Sequence, residues 1–121
     1  MFTIRIILQV IIALGIFNVW LMRFNKPTAW RGAASQNMKQ EFAAYGLSVG
    51  LMYCVGLLKL MSAILLLVGL WYPILIMPAA GLIAALMIGA VVMHIKIGDA
   101  PLKSLPATSM LLFCILVLVI R

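Results

Sequence analysis

Acidic side chains, and charged side chains in general, are scarce in this sequence. Its 121 residues include two Asp or Glu and one His, and charged residues make up 9% of the chain, whereas soluble domains carry about 25%. A water-soluble globule is therefore excluded. So few titratable groups leave little for hydrolase or metal chemistry, and neither a catalytic motif nor a glycine-rich phosphate-binding loop is present. The chain is instead 67% hydrophobic, and such a surface has to face lipid.

The hydrophobic residues form four long runs. A helix needs about 20 apolar residues to cross a bilayer, and the runs cover residues 6–22, 47–70, 74–93 and 104–120. They are continuous, whereas strands of a transmembrane barrel alternate. The sequence therefore predicts an all-α membrane protein with one domain, 1–121, in which four transmembrane helices form an antiparallel bundle. A signal peptide is disfavoured for the first run, because it leads into Arg23 and Lys26 rather than a small-residue cleavage site.

The segment between the first two runs contains a further helical pattern. Met38, Phe42 and Tyr45 are spaced by four and three residues, while the polar residues 36 and 39–41 fall largely on the other side. This pattern predicts a short amphipathic helix that lies in the membrane interface. A solvated loop that frays over 36–41 is the alternative.

Basic residues are distributed unevenly about the four runs. Six lie in the first and third connections, namely Arg23, Lys26, Arg31, Lys39, Lys96 and Lys103, against Arg5 and Arg121 near the ends. Because Lys and Arg are retained in the cytoplasm, we expect cytoplasmic connections and both termini outside. The net charge of +7 is interpreted as this orientation signal. Nucleic-acid binding is not expected, since no basic cluster is interleaved with exposed aromatic residues.

Small residues recur every four positions in the second and third runs. They are Gly46, Gly50 and Cys54 in the second run and Gly81, Ala85 and Gly89 in the third. Such spacing lets helices approach closely within a membrane. We therefore predict that the four glycines and Ala85 pack these two helices against each other as an antiparallel pair.

One ionisable residue, Lys59, lies deep within a predicted span. It follows the start of its run by twelve residues, or about 18 Å at 1.5 Å per residue, in a hydrocarbon core about 30 Å thick. Gln9 precedes the end of the first run by thirteen residues and is predicted at a similar depth. A Lys59–Gln9 pair is therefore allowed, with Ser62 as a second acceptor. The alternative is that Lys59 snorkels toward the far headgroups.

A second polar set, Asn18, His94 and Asp99, is predicted at headgroup depth near the basic connections. A lone histidine is more often a hydrogen-bonded interfacial residue than a ligand, so no metal or haem site is expected. Asp99 has the context of a turn. Cys54 and Cys114 fall at similar predicted depths, but thiols in apolar surroundings are normally inert. The tentative ligand-binding residues are therefore Lys59, Gln9, Ser62, Asn18 and His94.

Several short segments of the sequence follow one another in an order that can be compared with known families. They are FAAYGL at 42–47, VGLLKL at 55–60, AILLL at 63–67, Pro73, MIGA at 87–90, His94 and Gly98–Asp99. Over nearly the whole chain, this order resembles the DoxX-like family of small four-helix integral membrane proteins. Many family members carry an acidic residue at the position of Lys59, so a charge-dependent mechanism does not transfer to that position.

The resemblance implies a four-helix bundle, in a bacterial inner membrane, with a redox-linked or assembly role. Two functions stay open. One is a non-catalytic accessory or assembly subunit that binds other membrane subunits through its small-residue faces. The other is a quinone-binding subunit of an oxidoreductase, in which Lys59, Gln9 or His94 would hydrogen-bond to carbonyl oxygens. The scarcity of convergent polar groups favours the first, and a transporter is disfavoured because the chain offers no large inverted repeat.

Overall fold

A computed structural model describes residues 2–22, 24, 37–99 and 101–120, and within these ranges the chain is helical, with no strand. The α-helices are α1 (Phe2–Phe17), α2 (Met38–Ala44), α3 (Val49–Val68), α4 (Ile76–Lys96) and α5 (Leu105–Ile120). The predicted all-α membrane fold is thereby confirmed.

Four of these helices correspond to the four hydrophobic runs. Three helical segments, Thr3–Met22, Val49–Val68 and Pro73–Lys96, are long and apolar enough to cross a membrane, while α5 is apolar but shorter. The chain is thus an integral membrane protein.

Helix ends follow from local capping. The second run starts as a helix at Val49 because the Ser48 hydroxyl accepts a hydrogen bond from the backbone N–H of Leu51. Before α4, Pro73 opens a short 3₁₀ turn, Pro73–Leu75, a position where its missing N–H leaves no helical bond unmade.

The short helix α2 matches the predicted amphipathic pattern. The Asn37 side chain caps it by accepting from the backbone N–H of Gln40, and Met38 and Phe42 are buried while Lys39 and Gln40 are exposed. Its position in the membrane interface stays a prediction, and residues 25–36 lie outside the described residues.

The cytoplasmic orientation of the connections also stays a prediction. Four of the basic residues on which it rests lie outside the described part of the chain, namely Arg23, Lys26, Arg31 and Arg121.

The four long helices form a closed ring. α1 packs against α3 and α5, and α4 packs against the same two helices. α1 and α4 therefore lie diagonally across the bundle, as do α3 and α5. The interior is filled by aliphatic side chains and Met52, including Ile12, Ile16, Leu66, Ile83 and Val117. Cys54 is exposed and Cys114 is buried, and both thiols are free.

The close helix contacts involve glycines that the four-residue repeats did not indicate. A Cβ on Gly56 would lie 2.5 Å from the Trp20 ring, and one on Gly69 would lie 2.9 Å from the Ile76 side chain. A Cβ on Gly15 would approach the flexible side-chain end of Met110 more closely still. These contacts bring the first span close to α3 and α5, and the end of α3 close to the start of α4.

Helices α3 and α4 pack against each other, but the predicted small residues do not make this contact. Among the described residues, a Cβ on Gly81 or Gly89 would meet no atom within 4 Å, and one on Gly50 would meet only the Ser48 hydroxyl. Ala85 is exposed, and Gly46 lies in a turn with φ 78°. The reason is that a four-residue repeat defines a stripe along a helix but not the side that the stripe faces. The stripe of larger apolar residues on α4, with Ala80 and Ile83, faces the core. The stripe of glycines lies on another side of the helix.

Candidate functional site

A cavity of about 530 Å³ opens between the helices on the side of the basic connections. Its walls are mainly apolar side chains of α1 and α5, such as Ile11, Ile16 and Phe113, and its floor includes Met87 of α4. The volume lies within the roughly 300–1,000 Å³ typical of small-molecule sites. The polar residues that line it are Asn18, Glu41, Lys59, His94, Lys103 and Ser109.

The end of the first span is wound as a π-helix where it borders the cavity. The π-helical turn Asn18–Met22 continues α1, and Asn18, Val19 and Trp20 all line the cavity. π-Helical turns are rare and are frequent at functional sites. Here the turn carries the buried Trp20 ring, which lies against Gly56 of α3.

Lys59 reaches the cavity from the middle of α3. Its Nζ lies 5.5 Å from the centroid of the Trp20 ring, in a cation–π arrangement, and Glu41 acts on it electrostatically from α2. No hydrogen bond links Lys59 to another described residue. Side chains on a helix tilt toward its N-terminus, and Lys59 does so here. Its ammonium group therefore faces the cavity and does not snorkel toward the far headgroups.

The predicted Lys59–Gln9 pair does not form. Gln9 accepts from Arg5 Nε at 3.1 Å and donates from Nε2 to the Leu66 carbonyl at 2.9 Å. Leu66 is seven residues beyond Lys59, or roughly 10 Å along α3. The depth estimate was wrong because it placed the predicted ends of the two runs at one level, whereas the fit of Trp20 against Gly56 shifts α1 by about two turns.

Ser62 is buried, and its hydroxyl has no hydrogen-bond partner among the described residues. Neither Ser62 nor Gln9 lines the cavity, whereas Asn18, Lys59 and His94 do. The structure thus brings three of the five predicted ligand-binding residues together, and their role in binding stays a prediction.

Beside the cavity, four polar side chains form a hydrogen-bonded series. The Tyr45 hydroxyl donates to Glu41 Oε1 at 2.7 Å and lies 3.4 Å from His94 Nε2. His94 Nδ1 lies 2.8 Å from Asp99 Oδ2. The side chains of His94 and Asp99 are only 7% and 6% exposed. Glu41 and His94 also line the cavity, so the series connects the turn after α4 with the cavity. We call these four residues the polar chain.

Lys96 holds α2 in the position that the polar chain requires. Its Nζ donates to the Tyr45 carbonyl at 3.1 Å, at the C-terminal end of α2 where carbonyl groups lack helical partners. The rings of Tyr45 and His94 also meet edge to face with centroids 5.8 Å apart. These contacts fasten α2 against the end of α4.

The DoxX-like family model matches residues 7–119. The chain belongs to the DoxX-like family. The resemblance seen in the sequence is thereby confirmed. Neither the curated proteins nor the solved structures contain a match.

Sequence reasoning missed most of the polar chain of this DoxX-like protein. From the sequence, Glu41 was assigned to the solvated side of a helix and Asp99 to a turn, although both belong to the hydrogen-bonded series that contains the single histidine. Two signals were available: Glu41 and Tyr45 are four residues apart and so share a helix face, and the chain's two acidic residues and its one histidine all belong to this series. Nothing in the sequence alone showed that α2 and the end of α4 meet.

Proposed function

We propose that this DoxX-like protein binds an apolar ligand that carries carbonyl oxygens, a quinone, in the cavity between its helices. The observation that carries the proposal is Lys59, whose ammonium group faces the cavity from the middle of a membrane-spanning helix without a hydrogen-bond acceptor among the described residues.

The energetics of Lys59 favour a ligand that accepts a hydrogen bond. A lysine at the centre of a span costs at least about 2.5–3.5 kcal/mol on insertion scales. A cation–π contact such as that with Trp20 offsets this cost by about 0.5–2 kcal/mol. A hydrogen bond from a charged group contributes about 1.5–3 kcal/mol, so a carbonyl oxygen in the cavity offsets much of the remainder.

The arrangement of polar groups also changes the balance between the two functions that the sequence left open. Scarcity of convergent polar groups argued for an accessory subunit, yet Lys59, Asn18 and His94 line one cavity with apolar walls. This is the composition of small-molecule sites, in which a few polar groups orient a mainly apolar ligand. Lys59 would donate a hydrogen bond to a carbonyl oxygen, whereas both ring nitrogens of His94 already contact Tyr45 and Asp99. The quinone would supply two-electron redox chemistry.

Equilibrium binding of decylubiquinone to the purified protein in mild detergent tests the proposal. Lys59→Met keeps the side-chain length and removes the ammonium group, and we expect it to weaken binding at least tenfold, which corresponds to about 1.4 kcal/mol. Lys39→Met, which removes an exposed charge from α2, is the matched control and should bind as the wild type does. Equal affinity of the Lys59→Met and wild-type proteins, or no binding by either, would reject the quinone site.

A second candidate function, an accessory subunit of a membrane complex, is supported by a different observation. Ala85 and Gly89 are exposed on α4 and Gly81 is half-buried, and a Cβ on either glycine would meet no atom within 4 Å in the part of the chain that the structure describes. Small residues of this kind let another transmembrane helix approach closely. If this face binds a partner subunit, a stoichiometric membrane protein should copurify with the wild type and be lost from Gly89→Leu.

A further inference from the structure

We propose that the polar chain Asp99–His94–Tyr45–Glu41 conducts protons between the turn after α4 and the ligand cavity. The inference rests on the proposed quinone site, and it assigns a role to side chains that ligand binding alone does not require.

The polar chain has the connectivity that a proton path needs. Contacts of 2.8, 3.4 and 2.7 Å link Asp99 to His94, His94 to Tyr45 and Tyr45 to Glu41. Every member can accept or release a proton. At one end Asp99 lies in the turn that follows α4, and at the other end Glu41 lines the cavity.

The composition of the polar chain argues against a merely structural cluster. The protein has two acidic residues and one histidine, and all three belong to the polar chain, although burial of such groups near a membrane is unfavourable. Chains of Asp, Glu and His in membrane proteins typically mark proton relays. Among the described residues, three lysines lie near the polar chain: Lys96 on α4 binds the Tyr45 carbonyl, and Lys59 and Lys103 line the cavity beside Glu41.

One transfer moves one proton from Asp99 to Glu41. Asp99, protonated from the side of the turn, passes its proton to His94 Nδ1, His94 passes the proton on Nε2 to the Tyr45 oxygen, and the Tyr45 hydroxyl passes its own proton to the Glu41 carboxylate. Two O–H bonds and one N–H bond break, and one N–H bond and two O–H bonds form. Asp99 becomes a carboxylate, Glu41 becomes a carboxylic acid facing the cavity, and the neutral His94 ring, which now carries its proton on Nδ1, has to turn over before the next transfer.

A quinone would give this path a purpose, because its reduction by two electrons from a membrane-bound dehydrogenase consumes two protons at its carbonyl oxygens. Glu41 is the carboxyl group among the described residues that line the cavity, so it is the acidic side chain placed to supply those protons.

Infrared difference spectroscopy of the purified protein with bound decylubiquinone, reduced by an electrode through a mediator, tests the path. In the wild type we expect a carboxyl C=O band that changes on reduction and shifts in D₂O. Glu41→Gln keeps an acceptor for the Tyr45 hydroxyl but cannot take up a proton, so this band should disappear. Tyr45→Phe keeps the ring and interrupts the path, and the band should then rise at least about tenfold more slowly after the potential step.

Lys39→Met on the same helix is the control and should retain the band and its rate. A band that persists in Glu41→Gln, or that rises at the wild-type rate in Tyr45→Phe, refutes the path. Bound quinone without any carboxyl signal also refutes the path and leaves the ligand site intact. Failure of the wild type to bind decylubiquinone in the equilibrium binding measurement refutes both proposals. Circular dichroism and gel filtration establish that each variant is folded.

Discussion

Replacing Gly56 with alanine is expected to destabilise the bundle, although alanine is the better helix former. The new Cβ would lie 2.5 and 2.6 Å from two carbon atoms of the Trp20 ring. The ring is buried and packs edge to face against Phe42 at a centroid distance of 6.0 Å, so any movement toward the cavity costs this contact. Either the ring or α3 has to move.

The magnitude follows from a matched comparison with Gly89→Ala. Both glycines lie within helices and gain about 0.5–1 kcal/mol of helix propensity from alanine, but a Cβ on Gly89 would meet no atom within 4 Å. The gain in helix propensity is therefore the same in the two variants and cancels in their difference in stability. The difference is the steric cost at Gly56, about 1–3 kcal/mol for an overpacked interior.

Reversible unfolding in mixed micelles, followed by circular dichroism at increasing SDS fraction, measures this difference. Gly56→Ala should unfold at a lower SDS fraction than the wild type, and Gly89→Ala at the same or a higher fraction. If Gly56→Ala proves as stable as Gly89→Ala, the close approach of Trp20 to α3 is wrong. The register of α1 against α3, and with it the placement of Trp20 beside Lys59, would then be refuted.

Three further outcomes are expected. Gly89→Leu should leave the unfolding transition of the isolated protein within about 0.5 kcal/mol of the wild type, as is usual for substitutions away from packed features, and a clear loss of stability would place Gly89 in a helix contact. Lys96→Met removes the hydrogen bond to the Tyr45 carbonyl, worth about 0.5–1.5 kcal/mol, so hydrogen exchange in α2 should accelerate several-fold, whereas Lys39→Met should not change it. A topology reporter fused after Arg121 should report a periplasmic location, and a cytoplasmic signal would reverse the predicted orientation.

The fold could be predicted because its determinants are local. Each hydrophobic run is long enough to demand a helix, and Asn37 and Ser48 cap the helices that follow them. The depth of Gln9 relative to Lys59 could not be predicted in the same way. It depends on how the Trp20 ring fits against Gly56, and a sequence that is rich in leucine and glycine allows several such registers.

The candidate site was predictable only in its separate parts. Lys59 was identified because a charge inside a span is costly, and that reasoning depends on no neighbour. Glu41 and Asp99 each had a sufficient local explanation, one as a solvated helix residue and the other as a turn residue. Their common role requires α2 to pack against the end of α4, 49 residues away along the chain as measured from Tyr45 to His94.

The unequal lengths of the four long helices have a consequence for the surrounding lipid. Helix α4 has 21 residues and α5 has 16, so at 1.5 Å per residue their lengths differ by roughly 7.5 Å. A helix shorter than the hydrocarbon thickness is accommodated when the bilayer thins beside it, and a longer one when it tilts. The membrane is therefore expected to be thinnest along the α5 side of the bundle, where shorter-chain lipids should collect, and the protein should partition into the thinner regions of a bilayer with mixed thickness.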